Sequence, residues 1–360
     1  QAVNMFDRVA KENDLLGQTA LYHMGESYLK QNKFDYARSS FESAANSDFD
    51  PNIQEDALYN YAILSYQLDY NPFDEAIEAL ELYLKRYPTS KKRKDVYQYL
   101  VNVYTTTKNY QSAIDAIERI EDKDVKLKHA YQLLAFNRGT ELFQNANFPE
   151  AIKRFNLVKK YPIDPTLNAK SIYWTADAYY QLKDYDMSIQ QFRAFLNEGG
   201  NYLLKEHHTA YYNIAYCYLQ KNDTLSALQS FRTYLQQANL DDTPRKVDAL
   251  LRTGDGYFTM REDDQAIQFY KDVVNLEQGN EDYALYQQAI ALGYQSKSDE
   301  KISTLLNIVN NYSKSPLVVK SLYEIANTFQ GLSQNDKALK YYDQIIVDYP
   351  KKTEMVQAAL

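Results

Sequence analysis

AYYNIAYCYLQKNDTLSALQSF, residues 210–231, carries two small residues twelve positions apart, Ala215 and Ala227. A large ring follows each of them, Tyr218 three residues after the first and Phe231 four after the second. Spacings of three and four put side chains on one face of a helix, whereas KNDT at 221–224 is turn-forming. The stretch therefore reads as two short amphipathic helices joined by a tight turn. The small residues mark where the helices cross closely, and the large ones fill the space beside the crossing.

The same spacing runs through the chain. Gly25 pairs with Ala37, Val101 with Ala113, Gly139 with Ala151, Ala176 with Ser188, Gly254 with Ala266, Ala289 with Lys301, and Ala326 with Ala338. A further pair, Ala62 and Ala76, is 14 apart, and its two extra residues fall in DYNP at 69–72, where a loop should be. Large residues keep the register, as in Tyr28, Tyr104, Tyr179 and Tyr257 after the first members and Phe41, Phe155, Phe192 and Tyr270 after the second. The first members recur at steps of 35 to 39, the signature of a repeat array. Nine units are expected, starting near 18, 55, 94, 132, 169, 208, 247, 282 and 319 and filling residues 18–353. Residues 1–17 read as the second helix of a preceding partial repeat, because Ala2, Phe6 and Val9 copy the spacing of Ala37, Phe41 and Ala44. Residues 354–360 read as the start of a following helix. The natural N-terminus is expected upstream of the opening QAVNMFDRVAKEND, which has the character of a helix interior.

Composition narrows the function. A net charge of -8, with KKRK at 91–94 as the longest basic run, argues against nucleic-acid binding, which needs a clustered basic face. No stretch of 18 apolar residues is present. The single Cys217 excludes an internal disulfide framework. Tyrosine dominates the aromatic residues, 35 against 15 Phe and one Trp, and it suits surfaces that are half buried and half wet.

Catalytic and metal chemistry find few candidates. His207 and His208 are adjacent and so point about 100° apart on a helix, with no ligand set to complete them. TGDG at 253–256 lacks both a preceding strand and a following Lys-Ser/Thr, so it does not read as a phosphate loop. Cys217 has no histidine at helical spacing and reads as a small core residue. No cofactor or metal is expected, and no enzyme activity.

LYHMGESY with ARSSF, IYWTADAY with SIQQF, and LLRTGDGY with AIQFY resemble the tetratricopeptide repeat, over almost the whole chain. Lys301 departs from the pattern, as does the lack of Trp at its usual first place. Units also exceed the usual period by about three residues, a surplus expected in the second helix or the link after it. The resemblance implies an all-α, right-handed α-solenoid of antiparallel helix pairs that binds a partner protein segment in a concave groove. It places a row of rings there, three residues before the first small positions: Tyr22, Tyr59, Phe136, Tyr173, Tyr212, Tyr286 and Tyr323, with Tyr216 beside them. Tyr211 and Tyr218, by contrast, read as core. The alternative for the row is packing on the neighbouring unit's second helix; tyrosine rather than phenylalanine favours the groove. Glu26, Asp95, Asp177, Asp255 and Asn327 are the polar groove positions, mostly acidic, so the partner segment is expected to be basic. The helix ends KRYPTS, KKYPIDP and VDYPKK resemble those of periplasmic tetratricopeptide proteins of gram-negative envelopes. That resemblance implies a periplasmic, outer-membrane-associated scaffold in a larger complex. The alternative is a cytoplasmic sensor or regulatory array of a multidomain protein.

Overall fold

Helix-forming segments interrupted by short polar turns produce an all-helical chain. The computed structural model describes residues 2–68, 74–237, 243–350 and 357. Among them are nineteen α-helices, two short 3-10 helices and no strand. The chain divides into two compact units, residues 1–174 and 175–360. In the first, α1 (Ala2–Val9), α2 (Leu15–Lys30), α3 (Phe34–Asn46), α4 (Pro51–Leu68), α5 (Asp74–Arg86), α6 (Arg93–Thr106), α7 (Tyr110–Glu118), α8 (Val125–Gln144) and α9 (Phe148–Leu157) each pack on the next. Helix α10 (Pro165–Gln181) carries the unit boundary. The second unit continues through α11 (Tyr185–Asn197), α12 (Glu206–Gln220), α13 (Thr224–Leu235), α14 (Thr243–Thr259), α15 (Asp263–Leu276), α16 (Glu281–Tyr294), α17 (Ser298–Asn311), α18 (Val318–Gly331) and α19 (Asn335–Asp348), again in sequential contact. Each unit is thus an α-solenoid of antiparallel helix pairs.

One turn geometry explains the spacing of twelve. Seven residues after the first small position the backbone turns left-handed, at Asn32, Lys108, Ala146, Lys183, Asn222, Arg261, Ser296 and Ser333, with φ between 57° and 64°. In α12, Asn222 N–H donates to Leu219 O at 3.0 Å and Asp223 N–H to Tyr218 O at 2.9 Å. This is the Schellman ending, which satisfies carbonyls that the helix leaves unpaired. The next residue already caps the second helix: Asp223 accepts from Ser226 N–H at 3.1 Å and Asp184 from Met187 N–H at 3.2 Å. Exit and entry share three residues, so the register across the turn cannot drift. The corresponding turn between Ala62 and Ala76, with the DYNP insertion, lies outside the described residues, as does most of 354–360.

The small positions sit at the crossings. Ala37, Ala62, Ala113, Ala151, Ala176, Ala215, Ala266 and Ala289 are fully buried. Where the first position is glycine the reason is steric: a Cβ on Gly25, Gly139 or Gly254 would lie 2.7, 2.6 or 2.7 Å from the ring of Phe41, Phe155 or Tyr270. Lys301 is accommodated differently. Its stem passes the bare Cα of Gly293, where a Cβ would lie 3.1 Å from Lys301 Cδ, and its Nζ donates to Glu324 Oε2 of α18 at 2.7 Å.

Part of the surplus length lies in the link after the second helix, as at 198–205 between α11 and α12, and part lies in the first helices. First helices run long at their N-termini, 18 residues in α4, 20 in α8 and 17 in both α10 and α14, while the second helices α7 and α9 have 9 and 10. Early starts are built in by caps. Asp14 accepts from Gly17 N–H at 2.8 Å, so α2 begins at Leu15 rather than near 18. Asp124 does the same for Leu127 N–H at 2.8 Å. Pro51 and Pro165, each after an aspartate, suit the first helical position because it needs no amide hydrogen.

Candidate partner-binding face

The first helices of successive pairs carry the tyrosine row, and the position is fixed by the crossing three residues later. Tyr22 meets the Phe41 ring edge-on at 5.5 Å, Tyr59 meets Tyr83 at 5.8 Å, and Phe136 leans on Phe155 at 5.8 Å. Tyr212 lies 5.8 Å from Phe231 and 5.4 Å from Tyr234, and Tyr323 lies 6.0 Å from Tyr342. Each of these rings meets a ring on the second helix of its own pair. All of these row rings remain half-buried, with one edge outward, as does Tyr286. Tyr173 differs, being buried at 8% exposure with Trp174 edge-on at 6.1 Å.

Aspartates of the following pair approach the row. Burial, then the field of Asp56, raises the Tyr22 pKa, and burial, then Asp95, raises that of Tyr59. At Tyr212 the same relation becomes a bond, its hydroxyl donating to Asp248 Oδ2 at 2.8 Å. Asp56, Asp95 and Asp248 all stand six residues before the first small position of their pair. The repeated relation was legible as a period, but the sequence reading singled out Asp95 alone.

A polar network develops in the second unit. Tyr216 OH also donates to Asp248 Oδ2, at 2.6 Å, and the Tyr212 and Tyr216 rings are 5.0 Å apart. Arg252, one turn after Asp248 on α14, pairs with Asp248 Oδ1 at 3.4 Å and Asp255 Oδ2 at 3.3 Å. Asp255 Oδ1 accepts from Tyr270 OH at 2.9 Å and Tyr283 OH at 3.2 Å. Burial still holds the Asp255 carboxyl above its ordinary range despite these donors. Burial likewise pushes the Tyr212 hydroxyl far up, aided by Tyr216 and Asp248.

The remaining expected polar positions divide. Glu26 accepts from His23 Nδ1 at 2.8 Å, and Asn327 Oδ1 accepts from Tyr342 OH at 2.6 Å. Asp95 is exposed. Asp177 accepts a long hydrogen bond from Gln181 at 3.4 Å, and burial raises its pKa. Asp255 and Asn327 thus already accept hydrogen bonds from tyrosines of the fold. Tyr211 and Tyr218, expected in the core, are half-buried like Tyr212 and Tyr216; Tyr218 OH accepts from Arg193 at 2.8 Å. Cys217 is fully buried against Ser188 Oγ at 3.3 Å, and burial lifts its thiol to about 11. His207 Nδ1 bonds Asn201 Oδ1 at 2.9 Å. Among the described residues no cluster of three His, Cys, Asp or Glu could hold a metal ion, and no helix is long and apolar enough to cross a membrane.

Two models of the tetratricopeptide repeat match the chain, one at residues 22–91, 136–202 and 176–242, the other at 248–277 and 320–352. No curated protein matches it. Among solved structures it is similar to YrrB, a TPR protein with an unusual peptide-binding site, at 18% identity over 53% of this chain and 91% of that one, TM-score 0.42. It is also similar to the C-terminal part of a TPR repeat-containing protein from Cytophaga hutchinsonii, at 14% identity over 72% and 98%, TM-score 0.49. A third likeness is to pilF of Pseudomonas aeruginosa, at 14% over 64% and 97%, TM-score 0.41.

Proposed function

Because the chain belongs to the tetratricopeptide-repeat family, we propose that it is a non-catalytic scaffold holding a segment of a partner protein against its first-helix face. The observation that carries this reading is the row Tyr22, Tyr59, Phe136, Tyr212, Tyr286 and Tyr323: rings anchored on one side by their own pair and half-open on the other. Rings so anchored lose little conformational freedom on binding, and an amphipathic edge accepts both apolar and hydrogen-bonding contacts. Where the hydroxyls already bond carboxylates, as at Asp248, the rings are further pre-organised.

Selection of displayed random peptides on the full chain tests the reading. Enriched peptides should protect α12, α16 and the other row-bearing helices from hydrogen exchange, and Tyr216→Ala should weaken them by about tenfold or more while folding is retained. Enrichment of nothing, or protection confined to the second helices, would overturn it.

The setting proposed for the scaffold is the gram-negative envelope, on the resemblance of the helix ends at Tyr87-Pro88, Tyr161-Pro162 and Tyr349-Pro350. Fractionation of the native protein decides this: recovery from the periplasm or outer membrane supports the envelope, and recovery from the cytosol supports the regulatory array instead.

A further inference from the structure

A pocket of about 230 Å³ opens between α10 and α12, lined by Asp177, Tyr180, Gln181, Phe192, Tyr212 and Tyr216. Its walls are aromatic. Phe192 is fully buried beneath it, and Tyr212 and Tyr216 stand 5.0 Å apart on one side. Its charged lining group is Asp177, whose one hydrogen bond among the described residues is the long one from Gln181 at 3.4 Å. No cation pairs with Asp177 among the described residues. The neighbouring guanidinium, Arg252, is already committed to Asp248 and Asp255. Two carboxylates, Asp248 and Asp255, thus take up that guanidinium beside Tyr216. A carboxylate drawn partly out of water without a counter-charge is unfavourable alone and favourable once a cation joins it. Ring faces around it add attraction for the same charge.

We propose that this pocket receives a lysine side chain of the partner segment, its ammonium held by Asp177 and walled by Tyr180, Tyr212 and Tyr216. The inference rests on the protein-binding reading for the source of the lysine, and not for the chemistry of the pocket. It deepens the general expectation of a basic partner by confining the recognition to one residue. Asp255 contributes less, since it is already bonded by Tyr270, Tyr283 and Arg252. A point charge on a slim apolar stem matches one carboxylate at the end of an aromatic slot.

The full chain is titrated with Nα-acetyl-lysine methylamide and, in parallel, with the uncharged Nα-acetyl-norleucine methylamide, following the tyrosine ring resonances by NMR. The lysine derivative should shift Tyr180, Tyr212 and Tyr216 and bind about tenfold tighter than its norleucine counterpart. Asp177→Asn should remove that preference, as should Tyr180→Leu in part, which covers the case of an aspartate variant that folds poorly. Equal shifts with the two compounds, shifts elsewhere on the chain, or a preference that survives in Asp177→Asn would overturn the proposal. The peptide selection separates the two readings. Enriched peptides without a lysine requirement would sink the pocket assignment, and a lysine-selective titration beside an empty selection would sink the protein-binding function alone.

Discussion

At the scale of single residues, the geometry of each helix pair sets opposite demands at neighbouring positions. Gly139 is pressed by the Phe155 ring, so Gly139→Ala should cost about 1–3 kcal/mol, the range for overfilling a packed site. Seven residues later Ala146 holds φ of 57°, a region that an L side chain occupies at a penalty. Ala146→Gly should therefore raise stability by about 1 kcal/mol. Thermal unfolding of the two variants must show opposite signs; a destabilised Ala146→Gly would contradict the left-handed turn. Asp177 supplies a third residue-level expectation. Burial raises its native pKa, so the native state keeps the proton to higher pH than the unfolded chain, and stability is lost as pH rises through the window between the unfolded and native values. Asp177→Asn should melt higher than wild type at neutral pH, with the gap closing as the pH falls below the ordinary carboxylate range. A gap that is constant across pH would remove the burial argument.

Between elements, buried amides brace the joints. Gln132, fully buried on α8, donates to Asp164 O at 2.9 Å and accepts from Asp164 N–H at 2.8 Å, just ahead of α10. Gln18 on α2 makes the matching pair with Asp50 ahead of α4, accepting at 2.7 Å and donating at 3.4 Å, and it also reaches Ser47 O at 2.8 Å. Both glutamines stand seven residues before a glycine crossing, at Gly25 and Gly139, and hold the link that starts the next first helix. Gln132→Leu keeps the volume but strands an N–H and a carbonyl out of water, and should cost about 1–3 kcal/mol. Urea denaturation with an unchanged midpoint would show that solvent reaches Asp164 instead.

For the whole molecule, contacts run between helices adjacent in the chain, so stability accumulates pair by pair. Ala227→Leu, which forces volume into the fully packed crossing of α12 and α13, should lower hydrogen-exchange protection in α12 to α14 and leave α2 to α6 at wild-type values. Uniform loss of protection along the chain would mean a single cooperative unit and would refute this. The helix pairs were legible in the sequence because a crossing admits only small side chains. The twelve-residue spacing could be read before its cause, the left-handed turn, which non-glycine residues such as Lys183 and Arg261 conceal. What lay beyond reading was which polar groups meet across pairs. Asp255 and Asn327 belong to the expected face, yet tertiary packing turns them toward Tyr270 and Tyr342, and Asp177, two pairs before Asp255, has among the described residues only Gln181 as a hydrogen-bond partner. Local periodicity determined the helices, their order and the face that carries the rings, since those depend on neighbours within about one turn. Only the tertiary structure decided which rings lean on their own pair, which carboxylates are spent and which one, among the described residues, meets no cation in its pocket, because those depend on side chains fifteen and more residues away brought into contact.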